Sequence, residues 1–204
     1  WFTARLSVQA MTIAQRVLPA RSFASNSRVR RVTRGSSRIL SAITGAITMV
    51  MWIKGDYASN YLMLFVKDSG TVPAPYQAYI QAGTGLVELW RGNGVSQANV
   101  VSTAAIPSKT WGMIAMTHDG STGKHYLNGA PNGSGALSVA TSDAGTALVI
   151  GQRAGSYWHN GGFANLRLYN RVLDAREVMQ LYTDPLAGAL APSNPRRYYI
   201  AATI

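Results

Sequence analysis

WGMIAMTHDGSTGKHYLNG, residues 111–129, is the stretch that decides the fold of this chain of 204 residues. It holds two runs of β-prone residues, 110–118 and 123–127, with Asp119-Gly120 between them and Asn128-Gly129 after the second run. Asp-Gly and Asn-Gly dipeptides are favoured in tight turns where φ must be positive. The stretch therefore predicts two neighbouring antiparallel strands, joined and followed by turns.

The same texture of short β-prone runs separated by Gly, Asn, Asp, Ser and Pro continues through most of the chain. Many short strands with frequent turn signals are typical of an all-β protein. The fold class we predict is all-β, an antiparallel two-sheet β-sandwich. The predicted strands cover residues 27–32, 46–54, 61–67, 76–81, 85–91, 99–104, 110–118, 123–127, 135–140, 147–151 and 162–171.

Alternation within the predicted strands indicates which side chains share a face, because successive residues of a strand point to opposite sides. Leu62, Leu64 and Val66 are predicted to lie on one face of their strand. Leu166 and Leu168 are predicted to share one face of the last strand.

One short helix is predicted after the last strand. Asp174 can cap it, with Glu177 at the third helical position, a spacing that is typical of a capping box. Val178 and Leu181 supply the apolar side that packs on the sandwich, and the helix is expected to end by Pro185.

The length accommodates one sandwich with short extensions, because a single all-β domain can reach roughly 200–250 residues. We predict a basic N-terminal arm at residues 1–18, the β-sandwich at residues 19–184 and a C-terminal tail rich in Pro, Arg and Tyr at residues 185–204. Apolar spacing within residues 5–18 permits a short amphipathic helix, and an extended arm fits about as well. The Arg-rich, acid-free composition is also that of an organelle transit peptide, which is a further interpretation of the arm.

The formal net charge is +11, and no acidic residue precedes Asp56. The planar guanidinium suits paired contacts with carboxylates, so the arginine-rich surface is expected to bind acidic neighbours. Nucleic acid is a less favoured partner, because no aromatic residues interleave with the central arginine cluster. A simply solvated cationic face is the alternative. The residues predicted to bind a partner protein are Arg28, Arg30, Arg31, Arg34, Arg196, Arg197, Tyr198 and Tyr199.

Five segments agree in order and spacing with a known family. They are WGMIAMTHDG (111–120), KHYLNG (124–129), LVIG (148–151), GF (162–163) and LRLYNRVL (166–173). In these segments the chain resembles the laminin-G-like domains of the concanavalin A-like lectin and glucanase superfamily. The resemblance implies a jelly-roll sandwich in which Trp52 and Trp111 face inward. Where many of these domains have an acidic pair, this chain has Ala164-Asn165, which weakens the calcium site that the resemblance implies.

Residues for catalysis are scarce. Glycosidases of this fold need two carboxylates about 5–5.5 Å apart for a retaining reaction. The only glutamates are Glu88 and Glu177, and no predicted strand carries two acids. Glu88 is interpreted as an outward-facing strand residue. The chain also has no cysteine, no Gly-x-Ser-x-Gly elbow and no phosphate-binding loop. We therefore expect a protein that is not an enzyme and needs no cofactor.

Residues that could hold a metal ion are few. His118 and His125 are the histidines that could face each other across a hairpin, and zinc needs further convergent ligands. Asp119, Asn128 and Asp143 are weak calcium candidates, because Asp and Asn are common in turns for conformational reasons alone. No firm metal site is predicted.

Two short segments contain the ingredients of a sugar site, which combines exposed aromatic rings with amide or charged groups that hold hydroxyls. The glycan-binding candidates are Trp90, Arg91, Tyr157, Trp158, His159 and Asn160. The competing interpretation is that Trp90 and Trp158 cover the edges of the sandwich or fill a subunit contact.

Two functions are compatible with these features. The first is a phage virion component, in capsid decoration or a fibre, whose arm and tail dock on other virion proteins or identical subunits. The second is a lectin-like module, extracellular or carried on a fibre, that binds surface carbohydrate. We favour the first, because an isolated lectin gains little from a basic arm and an apolar carboxyl end. The longest apolar run, residues 47–53, is far shorter than the roughly 20 residues of a membrane span.

Overall fold

Two antiparallel β-sheets pack face to face, and the computed structural model describes residues 45–67, 74–140, 148–153 and 157–185 together with the backbone of residues 11–12. The strands are β1 (Met11–Thr12), β2 (Ile47–Gly55), β3 (Leu62–Lys67), β4 (Tyr76–Ile80), β5 (Val87–Gly92), β6 (Gln97–Val101), β7 (Gly112–His118), β8 (Thr122–Leu127), β9 (Ala130–Ala136), β10 (Leu148–Ile150) and β11 (Gly161–Tyr169). Helix α1 (Ala175–Thr183) follows the last strand. The predicted fold class, an all-β antiparallel two-sheet sandwich with one short helix near its C-terminal end, is confirmed.

Strands that are distant in the chain lie side by side in the sheets. The larger sheet has six strands in the order β1-β11-β2-β7-β8-β9, and the smaller sheet has five in the order β10-β3-β4-β5-β6. In the larger sheet Met49 of β2 pairs with Leu168 of β11 on one side and with Met116 of β7 on the other. The position of β2 therefore depends on segments that follow it by many residues.

The facing surfaces of the two sheets form the main hydrophobic core. Its buried members include Ile47, Met49, Met51, Ile53, Leu62, Leu64, Phe65, Ile80, Leu89, Ile114, Met116 and Leu148. Leu166 and Leu168 both pack against this core, as their predicted common face requires.

A β-bulge changes which side chains of β3 face the core. The pairing of β3 with β4 shifts between Met63 and Phe65, and Leu64 and Phe65 both join the core. Val66 instead packs with Met63 in a separate cluster. The prediction that Val66 shares a face with Leu62 and Leu64 is wrong, because the extra residue of a bulge interrupts the alternation of the strand.

Helix α1 covers the outer face of the six-stranded sheet. Val178 and Leu181 are buried there against Val50, Met113 and Ala115, so the predicted apolar side of the helix is confirmed. No helix in the described part of the chain is long and apolar enough to cross a membrane.

Neither of the two tryptophans predicted to face inward does so. Trp52 lies beneath α1 and stacks on Tyr182, with ring centroids 5.7 Å apart, because alternation in β2 points it away from the second sheet. Trp111 precedes β7 and remains 46% exposed. The inward orientation that the resemblance implied for these two residues is therefore wrong.

The turn at Asn128-Gly129 has the predicted backbone, with φ of 49° and 83°. It leads at once into β9, which spans Ala130–Ala136, so the prediction of a strand at 135–140 is wrong. Proline and glycine disfavour strands, but β9 lies at the edge of the six-stranded sheet, where a residue such as Pro131 is tolerated. β6 likewise lies earlier than the predicted 99–104.

Part of the N-terminal arm forms an edge strand. Met11 pairs with Leu168 and Thr12 pairs with Arg167, so β1 extends the six-stranded sheet beside β11. Residues 11–12 of the arm are therefore extended, and the helical and extended alternatives for the arm both stay predictions. The strand predicted at 27–32 lies outside the described residues, and the domain boundaries stay a prediction.

The cap of α1 should contribute measurably to stability. The side chain of Asp174 accepts hydrogen bonds from the backbone N–H groups of Arg176 (2.8 Å) and Glu177 (2.9 Å), and the carboxylate of Glu177 accepts from the N–H of Asp174 (3.0 Å). Asp174→Ala removes the cap and should lower the free energy of unfolding by about 1 kcal/mol, measured by urea denaturation. Asp174→Asn keeps an acceptor and should lose much less, so equal losses in the two variants would contradict this role.

Candidate functional site

Four loops meet at the end of the sandwich where β2 stops and β7 and β11 begin. We call this region the loop end, and it comprises residues 56–61, 81–86, 102–111 and 157–160. Backbone hydrogen bonds tie these loops to one another, from Asp56 N to Asn160 O (3.1 Å), from Lys109 N to Gly55 O (2.9 Å) and from Gly83 N to Tyr57 O (2.8 Å). Backbone hydrogen bonds therefore hold the loop end in place, and the side chains that point outward extend from an ordered main chain.

Exposed aromatic side chains are concentrated at the loop end. Tyr61 is 41% exposed, Trp111 46%, Tyr157 48% and Trp158 49%. These four residues, which we call the loop-end aromatics, come from three different loops. The other large apolar side chains exposed in the described part of the chain are aliphatic, namely Val95, Val101 and Met179. Tyr157, Trp158 and Asn160 were among the glycan-binding candidates, whereas Tyr61 and Trp111 were not.

Local backbone geometry holds two of these aromatics in place. Tyr157 adopts a positive φ of 53°, and its carbonyl accepts a hydrogen bond from the backbone N–H of Met63 (3.2 Å). The ring of Trp111 lies directly over Gly162, where an added Cβ would stand only 2.9 Å from Cη2 of the indole. A glycine at residue 162 therefore makes room for the indole.

Polar groups lie beside the aromatics. The Nζ of Lys109 forms an ion pair with the carboxylate of Asp56 at 3.1 Å. The backbone N–H of Ala58 and the nearby Lys109 hold the pKa of Asp56 below its usual range. Asn160 is exposed. The loop end thus offers an amide, an ammonium group and a carboxylate that stays ionised.

His159 lies beneath the loop rather than on it. It is 2% exposed, its ring packs on Phe163 with centroids 4.1 Å apart, and its backbone N–H donates to the carbonyl of Gly151 (2.8 Å). Its Nε2 is 3.2 Å from the carbonyl of Lys54, to which it donates. Burial lowers the pKa of His159 to about 4, so the ring is neutral at physiological pH. His159 was predicted to bind glycan, but it is buried and supports the loop from beneath.

A row of aromatic rings leads from the loop end onto the outer face of the five-stranded sheet. The ring of Tyr157 meets the ring of Tyr61 edge to face at 5.9 Å, and Tyr61 meets Tyr79 in the same way at 5.4 Å. Tyr79 and Trp90 lie nearly parallel at 6.3 Å. We call Tyr157, Tyr61, Tyr79 and Trp90 the aromatic row. It joins two glycan-binding candidates that are far apart in sequence.

Glu88 anchors the far half of the aromatic row. Its Oε2 accepts hydrogen bonds from the Tyr79 hydroxyl (3.0 Å), the Trp90 indole N–H (2.6 Å) and the Asn99 amide (2.9 Å), and its Oε1 accepts from Gln81. Burial and the neighbouring Glu88 carboxylate raise the pKa of Tyr79. Glu88 does face outward on its strand, but the side chains around it leave it only 5% exposed.

Arg91 does not share a surface with Trp90. The two are consecutive in β5, so their side chains lie on opposite faces of the sheet. Arg91 points between the sheets, is 3% exposed, and its Nη1 donates to Nδ1 of His118 at 2.8 Å. Burial lowers the pKa of both side chains. The two members of this candidate pair therefore cannot contact one ligand together.

The weak calcium candidates are separated in space. Asp119 Oδ1 accepts from the backbone N–H groups of Ser121 (2.8 Å) and Thr122 (2.7 Å), and Asn128 Oδ1 accepts from that of Met113 (2.9 Å). They lie at opposite ends of β8, roughly 20 Å apart at about 3.3 Å per residue. Asp143 lies outside the described residues. Asp119 and Asn128 each accept from backbone N–H groups and are too far apart to bind one calcium ion.

The histidines predicted to face each other are each bound elsewhere. Nε2 of His118 contacts the carbonyl of Leu137 at 2.6 Å, and Nε2 of His125 contacts that of Val100 at 2.9 Å. In the described part of the chain no group of three His, Cys, Asp or Glu side chains could hold a metal ion.

The partner-binding candidates have no described structure. Arg28, Arg30, Arg31, Arg34, Arg196, Arg197, Tyr198 and Tyr199 all lie outside the described residues. Binding through them stays a prediction.

Comparison with known families gives one match over most of the chain. The family model of the concanavalin A-like lectin/glucanases superfamily matches residues 31–179. No curated protein matches the sequence.

Solved structures share the fold at low sequence identity. The CBM40 of the Ruminococcus gnavus IT-sialidase matches with a TM-score of 0.60 and 19% identity, covering 71% of this chain and 86% of that one. Domain 4 of AbnA, a GH43 extracellular arabinanase from Geobacillus stearothermophilus in complex with arabinotriose, matches with a TM-score of 0.57 and 20% identity, covering 70% and 69%. The botulinum neurotoxin type G receptor binding domain matches with a TM-score of 0.54 and 12% identity over 68% of this chain, which spans only 38% of that one.

Acidification should destabilise the fold through His159. The pKa of His159 is about 4 in the folded protein and 6.5 ordinarily, so the unfolded chain binds the proton first as the pH falls. The free energy of unfolding should be highest above pH 6.5, where His159 is neutral in both the folded and the unfolded chain. It should fall by about 2–3 kcal/mol between pH 6.5 and pH 4.5. Urea denaturation at several pH values measures this loss.

The matched variant is His159→Gln, which keeps a donor for the carbonyl of Lys54 but does not titrate. Its stability should depend less steeply on pH over the same range. The buried His118 and His125, whose pKa values are also lowered by burial, and Glu177, whose pKa is lowered by Arg171, contribute to the remaining slope. A pH dependence in His159→Gln as steep as that of the unmodified protein would contradict the assignment.

Proposed function

Because the chain belongs to the concanavalin A-like lectin/glucanase superfamily, we propose that it is a non-catalytic carbohydrate-binding module whose loop end holds the sugar. The observation that carries this proposal is the concentration of exposed aromatic side chains, Tyr61, Trp111, Tyr157 and Trp158, at one end of the sandwich. Sugar rings stack on aromatic faces through their apolar C–H groups, while amides and charged groups bind the hydroxyls.

The polar groups of the loop end support the same function. Asn160 can both donate to and accept from hydroxyl groups, Lys109 can donate, and the ionised Asp56 can accept. Their backbones are joined by hydrogen bonds, so little ordering is needed when a ligand binds. Sugar binding by this fold is exemplified by the arabinanase domain, whose structure contains arabinotriose.

The carboxylates near the site support binding rather than catalysis. Asp56 is paired with Lys109, and Glu88 is saturated by four donors. A glycosidase needs one carboxyl group that can donate a proton and a second that can attack or activate water. These two residues do not form such a pair, because each already has a fixed set of partners.

Trp158→Ala should weaken glycan binding by about tenfold or more, because it removes an exposed stacking surface worth roughly 1.4 kcal/mol or more. The measurement is a glycan array followed by calorimetry on the glycans that bind. Val95→Ala is the matched control, since Val95 is 88% exposed in the turn between β5 and β6, at the opposite end of the sandwich. Failure of the unmodified protein to bind any glycan, or binding unaffected by Trp158→Ala, would overturn the proposal.

We propose assembly into a phage virion as a second function, which one feature of β11 favours. Residues 11–12 of the arm pair with Leu168 and Arg167 of this strand, and Arg167 also donates from Nη2 to the carbonyl of Pro185, just before the tail. The arm and the start of the tail therefore attach to the same strand. This arrangement would present both extensions together to acidic neighbours, in capsid decoration or in a fibre.

Deleting residues 1–18 and, in a second variant, residues 192–204 should each abolish incorporation into particles, because the arginine pairs and apolar contacts with neighbouring subunits are lost. Co-sedimentation of each variant with particles measures the effect. Glycan binding by both variants serves as the control that the sandwich is intact. Unchanged incorporation of both deletion variants would contradict assembly through the extensions.

A further inference from the structure

We infer, building on the proposed sugar-binding function, that the site is elongated and takes a linear oligosaccharide laid along the aromatic row. The loop-end aromatics hold one end of this chain. The outer face of the five-stranded sheet around Trp90 holds the other. A ligand of this class is longer than a disaccharide and is recognised along its length rather than by a terminal sugar alone.

The rings of the aromatic row follow one another from the loop end onto the sheet. Tyr61 belongs to the loop end, and its ring contacts both Tyr157 and Tyr79. Tyr79 continues the row to Trp90, whose ring is nearly parallel to that of Tyr79. The carboxylate of Glu88 links the Tyr79 hydroxyl to the Trp90 indole N–H. Tyr79 and Trp90 are half-buried, so a bound chain that extends from the exposed Tyr157 and Tyr61 would meet the accessible parts of these two rings on the sheet.

Amide side chains lie on both sides of Trp90. Strand pairing sets Gln77 of β4 opposite Trp90 on one side and Asn99 of β6 on the other. Gln77 is buried, and its Oε1 accepts no hydrogen bond from the described residues. A buried acceptor without a donor is unfavourable, and a ligand hydroxyl that reached Gln77 would satisfy it. Asn99 is exposed and can bind a second hydroxyl.

Hydrogen bonds to one carboxylate fix the orientation of these groups. The carboxylate of Glu88 accepts from the Tyr79 hydroxyl, the Trp90 indole and the Asn99 amide at once, and each of these donors is neutral. Since a buried carboxylate is tolerated only when it is fully hydrogen-bonded, the three side chains are locked around it. Glu88 is therefore a positioning residue, which prepares the sheet half of the site without contacting the sugar.

The test measures affinity against chain length. The probes are ladders of α-1,5-arabinan, β-1,4-glucan, β-1,4-xylan and β-1,4-mannan oligosaccharides, from disaccharide to hexasaccharide. For the ladder that binds, the hexasaccharide should bind about tenfold tighter than the disaccharide, as expected for one added stacking contact. Trp90→Ala should remove this difference by weakening only the longer chains, whereas Trp158→Ala should weaken every length.

The control for Trp90→Ala is Val101→Ala, which shortens an exposed side chain on the same face of β6, outside the aromatic row. Asn99→Ala provides a second probe of the same half of the site; because it also removes one of the four donors to Glu88, its thermal stability is measured alongside its affinity. It should also weaken the longer chains selectively.

Glu88→Gln tests separately whether Glu88 positions the side chains around it. The indole N–H resonance of Trp90 should shift, because the amide cannot accept from all four donors, and the preference for longer chains should diminish. A purely structural role would lower thermal stability while leaving the ratio of hexasaccharide to disaccharide affinity unchanged.

The outcomes separate this inference from the proposed function. Glycan binding that depends on Trp158 but not on chain length or Trp90 would overturn the elongated site and leave the proposed function standing. Binding of a branched or terminal-sugar glycan on the array, without binding of any oligosaccharide ladder, would also overturn the elongated site and leave the proposed function standing. Absence of all glycan binding would overturn both.

Discussion

Burial of apolar side chains on both faces of β2 is the constraint on which the rest of the structure depends. Met49 and Met51 face the second sheet, whereas Val50 and Trp52 face helix α1 and its neighbours. A strand that is apolar on both sides must be covered on both sides, since leaving either face in water forfeits its hydrophobic stabilisation. The sandwich and the helix layer are therefore parts of one arrangement. Because β7 and β11 flank β2, this arrangement also brings together the loops of the candidate site.

Beneath the exposed aromatics, the buried side chains of Glu88 and His159 are held by hydrogen bonds. Glu88 accepts hydrogen bonds from four donors, and the neutral ring of His159 donates to the carbonyl of Lys54. Removing such groups from water costs free energy, and their hydrogen bonds require a particular geometry. They therefore restrict the positions of their neighbours more than apolar contacts do. The surface offered to a ligand thus lies on a layer of side chains whose positions are already set, which favours recognition with little rearrangement.

Predictions from the sequence succeed where a few adjacent residues decide the outcome. The capping box of Asp174 and Glu177 and the turn at Asn128-Gly129 are of this kind. They fail where a neighbouring strand intervenes. The bulge that turns Val66 away from the core, and the edge position that allows Pro131 within β9, both arise from pairing with another strand. For the candidate site, the sequence indicated Trp158, Tyr157 and Asn160 but missed Tyr61 and Trp111.

By itself, the sequence determined the class of the fold, most of its strands and the capped helix, because apolar alternation, turn dipeptides and caps act over a few residues. Tertiary structure alone decided which aromatics became neighbours. Tyr157, Tyr61, Tyr79 and Trp90 come from separate segments, and their rings meet only because β3, β4 and β5 pair in one register and the loop before β11 folds back over β3. Register depends on contacts between distant strands, and no local pattern of residues encodes it.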